Sequence, residues 1–136
     1  MRWKTLQPTE SQEQIAVMDW AAQFEPQIPE LRMLLAIPNG GSRSYRVDKN
    51  GKRYSPEGKR LKREGVKRGV PDLLFPVKRL NCSGLWIEMK TKTGRMSAAQ
   101  KMWAAAIIEQ GFAVKLCRDS ESAIKAIMHY LLLPRS

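Results

Sequence analysis

Residues 70–91 read VPDLLFPVKRLNCSGLWIEMKT, and the fold turns on how this stretch is divided. The apolar runs 70–77 and 85–91 predict two consecutive strands, joined by a turn rich in Asn81, Ser83 and Gly84. With a side-chain period of two, Leu85, Ile87 and Met89 point to one face of the second strand, and Trp86, Glu88 and Lys90 to the other. An acid and a base thus stand side by side on a strand that otherwise reads as central. Buried charges are costly unless paired or employed; the alternative is a solvated face carrying a surface ion pair. Asp72 enters the first strand directly after Pro71, which cannot donate a ladder hydrogen bond and marks an edge, a strand start or a bulge. Taken alone, Asp72 reads equally well as a turn acid.

Outward from this pair, strands and helices alternate. Residues 97–110 predict a helix, with Ser97 and Gln100 forming a capping box and Gly111 closing the end. Residues 112–118 predict a third strand. Asp119 or Ser120 caps a final helix with an apolar face of Ala123, Ile124, Ile127, Met128 and Leu131. Upstream, residues 9–24 predict a helix that opens on a Thr9–Gln12 capping box. Its expected buried stripe is Ile15, Met18 and Ala22, widened by Val17 and Trp20, and Pro26 and Pro29 stop it. The order α-β-β-α-β-α implies an α/β class with a small mixed sheet flanked by helices.

Residues 43–79 differ in kind. They hold thirteen basic residues against four acidic ones, a local net charge of +9 in a chain whose total is +11. A small domain with a pI near 10.1 usually meets a polyanion, nucleic acid first; the alternative is a ribosomal-type or merely soluble basic protein. Asn50-Gly51 signals a hairpin between short polar strands, and residues 61–64 a short basic helix ending at Gly65. Asn39 lies in a turn-rich PNGG and either lines a site or merely turns the chain.

Several chemistries drop out. His129 is the single histidine, and Cys82 and Cys117 have no CxxC partner, which argues against a structural zinc site. At 136 residues the chain has the length of one domain, taken as 1–136. The first residues lack a secretion-type apolar stretch and no run has the length of a membrane span, so the cytoplasm is the expected location. Asp72, Glu88 and Lys90 are different. Two acids on adjacent strands can converge on one hard cation, Mg²⁺ or Mn²⁺, and a neighbouring lysine adds a fixed positive charge. Such an ion polarises a phosphoryl group and activates water, so phosphodiester cleavage needs these components and no histidine.

Asp72 in VPD, followed by Glu88-Met89-Lys90, resembles the PD-(D/E)XK nuclease signature. The wider ensemble is similar to the virus-type replication-repair nuclease (VRR-Nuc) domain across residues 10–131. It comprises TESQEQIAVMDWA (9–21), IPNGGSR (37–43), LKREGVKRGVPDLLF (61–75), LWIEMKTKTGRMSAAQKMW (85–103) and GFAVKLCRDSESAIKAIMHYL (111–131).

The resemblance implies a PD-(D/E)XK restriction-endonuclease-like core and a Mg²⁺- or Mn²⁺-dependent deoxyribonuclease. It further implies a homodimer acting on four-way junctions in a bacterial or phage-infected cell. Carried over by position, Asp72 and Glu88 are metal carboxylates, the Met89 carbonyl a further ligand, and Lys90 the catalytic lysine. A helix-1 acid completes the set. The resemblance favours Glu10 over Glu13, because the family's glutamate precedes a glutamine by four, as Glu10 precedes Gln14, and at i,i+4 the two share a helix face. A first-turn acid is also explained by the helix dipole. Gln100 belongs near the active site or serves only its capping box. Trp86 shares the Glu88 face and packs in the core or beside the site. Arg43, Lys62, Arg63, Lys67 and Arg68 are candidates for phosphate contacts. The stretch 44–60 is longer than the family pattern, as a surface insertion or as a segment that reaches along DNA or to a second subunit.

Overall fold

The computed structural model describes residues 7–38 and 46–136. In chain order the elements are α1 (Glu10–Phe24), β1 (Leu35–Ala36), β2 (Arg46–Val47), β3 (Arg53–Tyr54), α2 (Pro56–Arg63), β4 (Leu73–Phe75), β5 (Leu85–Met89), α3 (Ala98–Glu109), β6 (Ala113–Cys117) and α4 (Ser120–Leu131). A 3-10 turn, Pro29–Met33, leads from α1 into β1.

The main sheet has the order β1-β4-β5-β6. β1 and β5 flank β4 antiparallel, whereas β6 runs parallel to β5. A parallel neighbour requires a long crossover, and α3 supplies it. The mixed α/β sheet expected from the sequence is therefore present. β2 and β3 form a separate hairpin around Gly51, which takes the left-handed φ of +79° that its turn demands.

Leu73, Phe75, Leu85, Ile87 and Met89 are buried in one hydrophobic core with Val17 and Ala21 of α1 and Ala123, Ile127 and Tyr130 of α4. Asp119 caps α4, its carboxylate accepting from the Ser122 N–H at 2.7 Å. Both expected capping boxes form, Thr9 with Gln12 and Ser97 with Gln100. These caps fix where α1 and α3 begin, and hence where Glu10 and Gln100 stand.

Four expectations need correction. Val17 and Ala21 are the buried residues of α1 and Met18 and Trp20 pack against the same core as expected, while Ile15 is 55% exposed and Ala22 also faces outward. Glu13 lies on the same helix face as Val17 and Ala21 at i,i+4 spacing and has a polar task described below. The strand expected over 70–77 pairs only through Leu73–Phe75, since Pro71 and Pro76 have no N–H to give. The basic helix starts at Pro56 rather than residue 61, with Ser55 capping the N–H of Gly58 and Pro56 in the first turn. Arg79, counted among the basic surface residues, is buried. Its guanidinium donates to the carbonyls of Lys78 (2.9 Å) and Leu131 (3.3 Å) and so closes the C-terminal end of α4.

Candidate active site

The register Leu73↔Ile87 and Leu74↔Trp86, extended by one pair, sets Asp72 opposite Glu88. Both then lie on the sheet face away from α1 and α4. Asp72 Oδ2 accepts from the main-chain N–H of Met89 at 2.7 Å, which fixes the carboxylate across the β4–β5 seam. In an extended strand the N–H and C=O of one residue point to the same edge, so the Met89 carbonyl is turned toward this seam as well.

Glu88 is 1% exposed. Its Oε1 accepts from the Gln100 side-chain amide at 3.0 Å and lies 3.9 Å from Lys90 Nζ. The Gln100 oxygen is held by the Ser97 N–H at 2.8 Å, so the capping box aims the amide N–H₂ at Glu88. The structural and site readings of Gln100 are two ends of one side chain.

Oε2 of Glu88 is buried and, among the described residues, has no donor to accept from. A hydrogen bond between Glu88 and Asp72 exists only when one of them holds a proton. Burial first, and the Asp72 charge second, push the Glu88 carboxyl up to about 8; Lys90 pulls the other way without cancelling them, and Glu10 adds a smaller upward push. Burial and the mutual charge of the two carboxyls oppose ionising both, and added positive charge would relieve that opposition.

Among the described residues no three His, Cys, Asp or Glu side chains converge as a ready-made metal cluster. Glu10 stands apart from the Asp72–Glu88 pair, yet it lines the same cavity of about 480 Å³ as Lys90. Glu13 lines it too, but its Oε2 accepts from the Ser120 N–H at 2.5 Å, tying α1 to the start of α4. That bond gives Glu13 a structural task through one of its two oxygens. The donors present are carboxylate and carbonyl oxygens, with one orphaned carboxylate oxygen at the centre. This set fits a hard divalent cation.

Lys62, Arg63, Lys67 and Arg68 are all exposed. Asn39 and Arg43 lie outside the described residues. Trp86 packs edge to face on Phe112, with ring centroids 6.2 Å apart, beside the carboxylate pair rather than in it.

The family model of the VRR-NUC domain matches residues 8–121. The chain belongs to the VRR-NUC family. This VRR-NUC domain is thus of the PD-(D/E)XK nuclease type, a hydrolase whose substrate is DNA, in a fold that generally uses divalent metals. A solved structure described as a "VRR_NUC domain protein" superposes with a TM-score of 0.71 at 25% identity, covering 96% of this chain and 93% of that one. No curated protein sequence matches. No described helix is long and apolar enough to cross a membrane.

Sequence reasoning missed two residues around the VRR-NUC site. Arg118 donates from Nη1 to the carbonyls of Thr91 (2.8 Å), Lys92 (3.3 Å) and Gly94 (2.7 Å), gripping the turn that follows Lys90. Gly69 has φ +93°, and a Cβ there would lie 2.8 Å from the Ala99 carbonyl carbon. The loop before Asp72 is thereby seated on the first turn of α3. The Gly-Val-Pro-Asp string hints at the second; nothing in the sequence signals a contact spanning 27 residues.

Proposed function

We propose that this VRR-NUC domain is a Mg²⁺- or Mn²⁺-dependent, structure-specific DNA endonuclease that hydrolyses phosphodiesters in four-way junctions, as a Holliday junction resolvase does. The observation that carries this reading is the Asp72–Glu88 pair, with its raised Glu88 pKa and an orphaned Oε2. Asp72, Glu88, the Met89 carbonyl and Glu10 are the residues that would hold the ion. When bound, the ion supplies charge neutralisation and water activation.

The remaining roles belong to the chain. The Met89 N–H holds Asp72 in place, and Gln100 holds one oxygen of Glu88, so that the other would be available to an ion. Lys90 keeps a half-buried ammonium beside the pair, where it orients the attacking water and offsets charge that develops on the phosphoryl oxygens. Lys62, Arg63, Lys67 and Arg68, with Arg43, bind phosphates and not base edges. A junction has two-fold symmetry, so symmetric cutting calls for a homodimer. The cytoplasm of a bacterial or phage-infected cell is the setting this reading supports.

The test is cleavage of labelled four-way junction, flap, duplex and single-stranded DNA, with Mg²⁺, with Mn²⁺ and with chelator. Metal-dependent cutting of the junction in preference to the other three is the expected result. No cutting of any DNA with either ion would overturn the reading. Junction-indifferent cutting by a strict monomer in sedimentation would move it to a flap-cutting or nicking enzyme of the same fold.

A further inference from the structure

The β2–β3 hairpin and α2 form a unit outside the main sheet. Two depressions of about 580 and 560 Å³ flank it and share Tyr54 and Lys59 as a common wall. Lys59 Nζ sits 5.2 Å above the Tyr54 ring, so the wall is itself a cation on an aromatic base. Lys52, Lys62 and Arg68 line one depression; Arg60 and Arg63 line the other.

The acids nearby do not neutralise this row. Asp48 Oδ1 accepts from the N–H groups of Asn50 and Lys52, each at 2.8 Å, and so spends itself on the hairpin turn. Glu64 faces Arg60 at 3.8 Å on an exposed surface, where such a pair contributes little. Among the described residues no carboxylate pairs with Lys52, Lys59, Lys62 or Arg63. Holding like charges together without counter-charges costs stability, and a regular polyanion removes that cost.

The row is also anchored to the site. Arg68 lines the groove and adjoins Gly69, whose approach to Ala99 seats the loop on the helix that carries Gln100. Asp72 follows three residues after Gly69. The groove wall and the carboxylate pair are thus joined by a short stretch of chain, Arg68 to Asp72, whose seat on α3 is set by Gly69.

We infer that the hairpin–α2 groove holds the sugar-phosphate backbone of a DNA duplex arm flanking the scissile bond. It sets affinity and the point of cutting while taking no part in the chemistry. The word "flanking" rests on the nuclease reading; the binding of duplex DNA does not.

The experiment separates the two. Binding of a fluorescent DNA duplex is measured in chelator, where no cutting occurs, across a range of salt concentrations. The triple variant Lys52→Ser/Lys59→Ser/Lys62→Ser is compared with a charge-matched control, Lys115→Ser/Lys125→Ser/Arg135→Ser. The groove triple is expected to flatten the log–log salt slope by about 2 to 3, and the control by less than about 1, from a contribution of roughly 0.9 per phosphate. Lys52→Glu alone, with its melting temperature recorded, should weaken binding in the same direction and guards against misfolding of the triple. Equal slopes for the two triples, or a loss seen on duplex RNA and not on DNA, would overturn the inference. A wild-type protein that binds through this groove and cuts nothing would uphold it while removing the nuclease reading.

Discussion

Gln100 donates its side-chain amide to Glu88 while its oxygen accepts from Ser97 N–H, so one residue closes a helix and holds a buried carboxylate. The two functions can be separated. Gln100→Glu keeps an oxygen for the cap and loses the donor, and its expected outcome is a strong loss of cleavage. Ser97→Ala removes the hydroxyl that caps Gln100 N–H and leaves the amide in place, costing about 1 kcal/mol of stability with cleavage retained. Thermal melts alongside single-turnover cleavage check both.

Asp72→Ala, Glu88→Ala and Lys90→Ala are each expected to abolish cleavage while DNA binding persists, because none of the three belongs to the exposed basic surface. Full activity in any one would remove that residue from the proposed site. A gel shift run beside the cleavage assay is sufficient.

Metal-free protein should lose stability as pH rises. An unperturbed carboxyl like that of the unfolded chain titrates near 4.5, whereas native Glu88 is pushed up to about 8 by burial and by Asp72. Between these values the native state holds a proton that the unfolded state has released, so the slope of stability against pH is negative. The melting temperature in chelator is expected to fall across this window, and Mg²⁺ to restore it at the alkaline end. Glu88→Gln should flatten the profile and melt higher than wild type at about pH 8, even though it does not cut. A flat wild-type profile would contradict the crowding of the two carboxyls.

Glu10 and Glu13 make opposite predictions. Glu13→Gln weakens the charge-assisted bond to Ser120 N–H, costing about 1–2 kcal/mol while leaving cleavage close to wild type. Glu10→Gln, at an exposed first-turn position, should cost less than about 1 kcal/mol and suppress cleavage. Paired denaturation curves and cleavage rates would reverse the assignment if the two phenotypes were exchanged.

Much of this arrangement is legible before any coordinates. The capping boxes place both flanking helices, and the alternation in LWIEM puts Glu88 on the face opposite Ile87. What escapes is whatever depends on a partner distant in sequence. Ile15 reads as core by periodicity, but the face turned inward is that of Val17 and Ala21, which also carries the bond from Ser120 N–H to Glu13, 107 residues apart. Arg79 reads as one more surface cation until its contact with Leu131, 52 residues on, shows it buried. The start of α2 was open to reading, because Ser55-Pro56-Glu57 is an ordinary helix opening hidden by the lysines and arginines around it.

The Arg79 contact also bears on when the protein becomes an enzyme. Its guanidinium and the apolar side of the sheet both wait for α4, which is made long after the strands that hold Asp72 and Glu88. A nascent chain halted before that helix leaves the ribosome keeps an open, greasy sheet and an Arg79 that lacks its bond to Leu131. Cutting power is therefore expected only once that helix has closed over the sheet.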